Sequence, residues 1–141
     1  MTTFGKILEI VVGLMEIESS MNSFSYSPTV IVSHLQDQWK PIKAAIEFIQ
    51  NVDKAAIHDI EHRDNTYTLT IDNKKFKQFF VVYRILCNHH LFDGKHQMKE
   101  IRCKDFQEAL MYFPFISALA KIGAYSGYSY DHTTKSLIAF Q

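Results

Sequence analysis

The amino-acid sequence predicts an α+β fold: a single compact domain in which several helices pack on a small, mostly antiparallel sheet with a central hairpin. Three observations support this class. The length of 141 residues suits one domain, residues 1–141. Apolar residues recur at three- and four-residue spacing in the N-terminal third, as on one face of a helix, and Asp105 with Glu108 marks the start of a later helix. Between these regions, residues 67–71 alternate apolar side chains with threonine, which is typical of a strand.

Residues 1–52 are predicted to be mainly helical. Apolar positions form one stripe from residue 3 to about residue 18, which indicates an amphipathic helix. Ser27 and Pro28 then provide a cap and a first helical position for a second helix, which ends shortly before Pro41. Because proline removes a helical hydrogen bond, Pro41 restarts or kinks the chain before a third apolar stripe.

In the middle of the chain the apolar residues change from three- and four-residue spacing to two-residue alternation. The alternation at 67–71, preceded by turn-forming residues, predicts a hairpin over about 54–72. Asp72 or Asn73 can then cap a helix over about 74–90, which is apolar on nearly all sides.

The last third is predicted to contain a helix followed by a hairpin. Asp105, three residues before Glu108, matches a capping box and starts a helix over about 105–123. The tail, rich in tyrosine and serine, predicts a C-terminal hairpin over about 126–140.

Residues 58–62 spell H-x-x-E-H, which resembles the inverted zinc-peptidase motif. In that family a helix brings two histidines to one metal, so the resemblance implies a zinc-dependent hydrolase using His58, Glu61 and His62. On a helix the two histidines lie about 6 Å apart, but on a strand about 13 Å. Because the predicted strand at 67–71 follows at once, we interpret the string as the outer strand of the hairpin and expect no metal or other cofactor. The hydrolase stays the alternative.

Residues 89–94 form a second candidate motif. Counted from His89 they match H-x-x-x-D-G, which is similar to the motif of chloramphenicol acetyltransferases and peptide-synthetase condensation domains. That resemblance implies acyl transfer with His89 or His90 as general base, but the second histidine falls one residue late. We interpret both imidazoles as complementing a helix C-terminus, followed by an Asp-Gly turn.

Composition narrows the possible partners and the compartment. The formal net charge is 0, with −4 in residues 1–65 and +4 in residues 66–141, so opposed faces favour a charged partner. The basic segment 95–104 is interpreted as a solvated edge strand, which disfavours nucleic-acid binding. Two cysteines indicate a reducing, cytoplasmic setting. The longest uncharged apolar run has 12 residues, whereas a membrane span needs about 20, so a soluble protein is expected.

These observations favour a small macromolecule-binding protein over an enzyme. We predict a stoichiometric protein inhibitor, immunity factor or adaptor that contacts another protein, with a second copy of the chain as the alternative partner. Tyrosines among serine and glycine suit an adaptable contact surface, and nearby basic residues suit its rim. The predicted contact residues are Tyr125, Tyr128, Tyr130, Lys99, Arg102 and Lys104.

Overall fold

The computed structural model describes Leu8, Glu9, Gly13 and residues 29–92 and 98–140. It confirms the α+β class, with the antiparallel strands divided between two three-stranded sheets. In chain order the elements are β1 (Thr29–Ser33), α1 (Trp39–Val52), β2 (Ile57–Arg63), β3 (Thr66–Ile71), α2 (Asn73–Asn88), β4 (Met98–Arg102), α3 (Phe106–Lys121), β5 (Gly127–Asp131) and β6 (Ser136–Phe140).

The N-terminal helix predicted from residue 3 lies almost wholly outside the described residues, as do Ser27 and Pro28. Leu8, Glu9 and Gly13 have helical backbone conformation, and Leu8 is buried. The described chain divides into two compact units at residues 81 and 82, within α2.

The sheet of the first unit has the strand order β1-β3-β2, so β2 is an edge strand as expected. The prediction of a helix before Pro41 is wrong for residues 29–33, which form β1 and pair with β3. Four successive β-branched residues, at positions 29–32, lose side-chain freedom in a helix and pack well on a pleated surface. Their exposure alternates: Val30 and Val32 are buried, whereas Ile31 is exposed.

The hairpin predicted over 54–72 is formed by β2 and β3, which two turn residues connect. Asp64 and Asn65 have φ angles of 51° and 60°, the left-handed conformation that both central positions of a type I′ turn require. The register places His62 opposite Tyr67 and Ile60 opposite Leu69, so these four side chains share one face. A register shift between Ile57 and Asp59 interrupts the pairing of β2 with β3 at the end away from the turn.

Asp72 caps α2, one of the two residues that the sequence offered for this role. Its Oδ1 accepts a hydrogen bond from the Lys75 backbone N–H at 2.9 Å. At the other end, the Leu91 N–H donates to the Leu86 carbonyl and His90 has a φ of 57°, which closes the helix with a left-handed residue.

The second unit contains the sheet β4-β6-β5 and helix α3. Asp105 caps α3 as predicted: its Oδ1 accepts from the Glu108 N–H at 2.9 Å. The Glu108 carboxylate in turn accepts from the Lys104 N–H at 2.8 Å, one residue before the N-cap whose N–H a capping box uses. β5 and β6 form the C-terminal hairpin. Across the described parts of the chain, no helix is long and apolar enough to cross a membrane.

Candidate functional site

A groove lies between α1 and the β2 edge of the first sheet, and we call it the α1–β2 groove. Side chains three, four or seven residues apart lie on one face of a helix, and this spacing brings four polar or aromatic residues of α1 to the groove. Its volume is about 250 Å³, and its lining residues are Trp39, Lys43, Ile46, Glu47, Gln50, Ile60, His62 and Tyr67.

Two histidines meet at one end of this groove. The Nε2 atoms of His34 and His62 lie 2.7 Å apart, a hydrogen-bond distance. Nδ1 of His34 lies 2.7 Å from the carbonyl oxygen of Leu35, and since a carbonyl only accepts, Nδ1 carries a proton. Only 8% of His34 is exposed to solvent, whereas His62 is exposed, so the contact is part-buried and pairs the buried imidazole of His34 within the protein.

Tyr67 forms the floor beneath the histidine pair. Its ring stacks on His62 with a centroid distance of 4.0 Å and an interplanar angle of 12°. Burial, and secondarily the negative charge of Glu47, raises the pKa of the Tyr67 hydroxyl. The neutral hydroxyl donates to the Trp39 carbonyl at 3.4 Å. The indole ring of Trp39 lies 6.5 Å from the His62 ring and is partly exposed.

The H-x-x-E-H string lies on strand β2, and its two histidines have different partners. Nε2 of His58 lies 3.3 Å from Oδ2 of Asp72, whereas His62 contacts His34. The Lys75 backbone N–H, and then the His58 contact, lowers the pKa of Asp72. Among the described residues, no three His, Cys, Asp or Glu side chains form a group that could hold a metal ion. The geometry therefore gives the zinc-hydrolase alternative no ligand set there.

The second unit carries an aromatic cluster, which we call the α3–β5 aromatic surface. Phe106 of α3 contacts Tyr130 of β5 at a ring-centroid distance of 5.0 Å, and Phe113 contacts Tyr128 at 5.5 Å. His132 closes the cluster, with centroid distances of 5.2 Å to Phe106 and 4.8 Å to Tyr130. Phe106 and Tyr128 are each 38% exposed, so the rings contact both one another and solvent.

The predicted contact residues do not form one surface. Tyr128 and Tyr130 lie on the face of the second sheet that contacts α3, but Tyr125 is a core residue and only 3% exposed. Its hydroxyl donates to the Leu91 carbonyl at 2.9 Å, so the exposure that the prediction required is absent at Tyr125.

The predicted basic rim is divided as well. Lys99 pairs with Ala139, which also pairs with Tyr128, so Lys99 and Tyr128 share a face at a separation of about two strand spacings, or 10 Å. Arg102 alternates to the opposite face, and Lys104 lies exposed just before α3.

His89 and His90 lie exposed at the C-terminal end of α2, as the helix-dipole interpretation expects. The Asp93-Gly94 part of their motif lies outside the described residues. Burial raises the pKa of the Cys103 thiol, and the nearby Glu108 carboxylate raises it further. Cys103 therefore stays a protonated core side chain and not a reactive thiolate.

Sequence reasoning missed His34, Trp39, Phe106 and Phe113 as members of these clusters. One signal was present for His34: it continues the alternation of Val30 and Val32, so a strand at 29–33 would have placed it on the inner face.

Comparison of the chain with models of known protein families, with curated proteins and with solved structures found no match.

Proposed function

We propose that this protein acts by binding another protein and that the α3–β5 aromatic surface is the contact region. The observation that supports it is the cluster Phe106, Phe113, Tyr128 and Tyr130, in which large rings are in mutual contact while half-exposed. Leu110, four residues after Phe106 on the same face of α3, is 41% exposed, and Met111, farther round the helix, is 46% exposed. Aromatic residues and methionine are the types that protein interfaces enrich.

Ring-to-ring contacts favour binding for an entropic reason. A side chain that is already held by its neighbours loses little rotamer freedom when a partner packs on it. Phe106 is held by Phe113 at 5.9 Å as well as by Tyr130, so the surface is ordered before a partner arrives. Tyrosine adds a hydroxyl that can hydrogen-bond at the rim of such a contact.

The edge position of β5 adds a second kind of contact. Within the described residues, the order β4-β6-β5 leaves one side of β5 without a neighbouring strand in its sheet. Tyr128 and Tyr130 therefore combine exposed rings with backbone groups at a sheet edge, where a partner segment can form hydrogen bonds. A stoichiometric inhibitor, immunity factor or adaptor would use such a surface without any catalytic group.

Affinity capture from the native host with quantitative mass spectrometry tests this proposal. The test variants are Phe106→Ala and Tyr128→Ala, alone and combined. The matched control is Ile31→Ala with Leu35→Ala, two apolar positions in the other unit that are 61% and 67% exposed. We expect wild type and control to retain the same protein at the same yield, while the double variant loses most of it, since interface aromatics contribute about 2 kcal/mol or more each.

Two results would count against this assignment. If the double variant, folded by circular dichroism, captures the partner as well as wild type does, the contact region lies elsewhere. If light scattering shows a dimer that the double variant converts to monomers, the surface joins two copies of this chain and the partner is not a different protein.

A further inference from the structure

The His34–His62 contact joins the two edges of the first sheet across its central strand. His34 directly follows β1, and its backbone N–H donates to the Asn65 carbonyl at 2.9 Å. His62 belongs to β2, on the other side of β3. The Nε2–Nε2 distance of 2.7 Å therefore connects two strands that are not neighbours in the sheet.

A proton count limits the charge that this pair can hold. Nδ1 of His34 keeps its proton toward the Leu35 carbonyl, so in the neutral pair the His34 Nε2 accepts and the His62 Nε2–H donates. One added proton can reside on Nδ1 of His62 without disturbing this bond. A second added proton places N–H groups on both facing Nε2 atoms, which cannot form a hydrogen bond, so the rings must separate.

The surroundings make a doubly charged, closed pair more unfavourable. His34 is 8% exposed, so water screens the repulsion between two adjacent positive charges poorly there. Three titratable groups also line the groove with His62: Lys43 and Glu47 from α1, and Tyr67 from β3. Lys43 and Glu47 lie 3.9 Å apart, so their opposite charges offset one another, and the Tyr67 hydroxyl is neutral.

The turn after His34 connects the histidine pair to the groove. The Leu35 carbonyl that holds His34 also accepts from the Gln38 N–H at 3.0 Å, and Gln38 directly precedes Trp39 at the groove. We propose that the His34–His62 pair is a proton-operated latch at the end of the α1–β2 groove, closed while the two rings share a proton and open when both are imidazolium. This latch is independent of the protein-binding proposal.

The latch has a defined dependence on pH. The closed pair holds at most one added proton and the open pair holds two, so acidification favours the open state. When the closed pair carries one added proton, each unit of pH lowered raises the ratio of open to closed molecules about tenfold.

Trp39 is the single tryptophan of the chain and reports on this region directly. The experiment follows its fluorescence emission and the far-ultraviolet circular dichroism of wild type from pH 8 to pH 5. We expect a red shift of the emission while the circular dichroism is unchanged. The shift should be lost in His34→Gln and in His62→Gln, which keep a polar side chain but do not titrate. It should be retained in His58→Gln and His132→Gln, which change histidines outside the pair.

Two outcomes would overturn the latch: an emission that shifts only when the circular dichroism is lost, or a shift that persists in both His34→Gln and His62→Gln. If a glutamine variant does not fold, nitrogen NMR of the wild-type histidine rings decides. A His34 ring protonated at Nδ1 and unprotonated at Nε2 near pH 8 supports the proposal. A ring that exchanges freely between both tautomers contradicts it.

Discussion

The α1–β2 groove and the α3–β5 aromatic surface are both ring clusters beside a helix and a three-stranded antiparallel sheet, but they differ in how their polar atoms are paired. In the groove the polar atoms are paired within the protein: His34 with His62, and the Tyr67 hydroxyl with the Trp39 carbonyl. On the aromatic surface the rings mainly contact one another and solvent. In the groove, the buried polar atoms of aromatic side chains need hydrogen-bond partners within the protein. On the aromatic surface, the exposed rings are free to pack against a binding partner.

The largest expected difference between the two regions is in stability. Tyr67 is 3% exposed and Tyr128 is 38% exposed, so truncation removes packing mainly at the first. We expect Tyr67→Ala to lower the free energy of unfolding by about 3 to 5 kcal/mol, as for other buried aromatics. Tyr128→Ala should lower it by less than about 1 kcal/mol. Urea denaturation of both variants measures this, and equal losses would remove the distinction between a packed groove and an exposed surface.

A smaller loss of stability is expected when the exposed contact between His58 and Asp72 is removed. Asp72→Ala removes the cap of α2 and the partner of His58, and should cost about 1 kcal/mol near pH 7. Because folding lowers the pKa of Asp72, its contribution is present above the unfolded pKa and is lost as the pH falls through the folded value. Urea denaturation at pH 7 and near pH 3 should therefore show the difference from wild type shrinking in acid. A difference that grows in acid would contradict the assignment.

The smallest expected effect is the coupling energy between His34 and His62. A double-mutant cycle with His34→Ala and His62→Ala near pH 7.5 should give a coupling energy of about 0.5 to 1 kcal/mol, the net value of one hydrogen bond. The equivalent cycle with His58→Ala and Asp72→Ala serves as the exposed counterpart and should show weaker coupling at that pH. A zero value for His34 and His62 would mean that ring packing, and not the shared proton, holds these rings together.

Local sequence signals predicted the elements whose evidence lies within a few residues. The Thr-Tyr-Thr-Leu-Thr-Ile alternation gave β3, and the Asp105–Glu108 spacing gave the start of α3. β1 was missed because Val30, Ile31 and Val32 are all apolar, so the strand shows no alternation with polar residues, and its pairing with β3 lies far along the chain.

The clusters were harder to predict because distant contacts form them. His34 and His62 are 28 positions apart, and Tyr125 reaches Leu91 over 34 positions. Composition identified the tyrosines of the tail as a group. It could not show that Tyr125 lies in the core and donates to the distant Leu91 carbonyl. Strand alternation separated Arg102 from Lys99 in the same way, once β4 had a fixed register with β6.

The order β1-β3-β2 also has a consequence for the sequence of folding events. β2 and β3 are joined by only two residues, so their hairpin is a local structure of the kind that forms in about 1 to 10 μs. β1 can join β3 only after the whole of α1 has been enclosed in the intervening loop, which is a slower, non-local step. The two imidazoles bridge the strand that arrives last and the strand on the far edge. Their contact therefore marks the completion of the sheet during refolding.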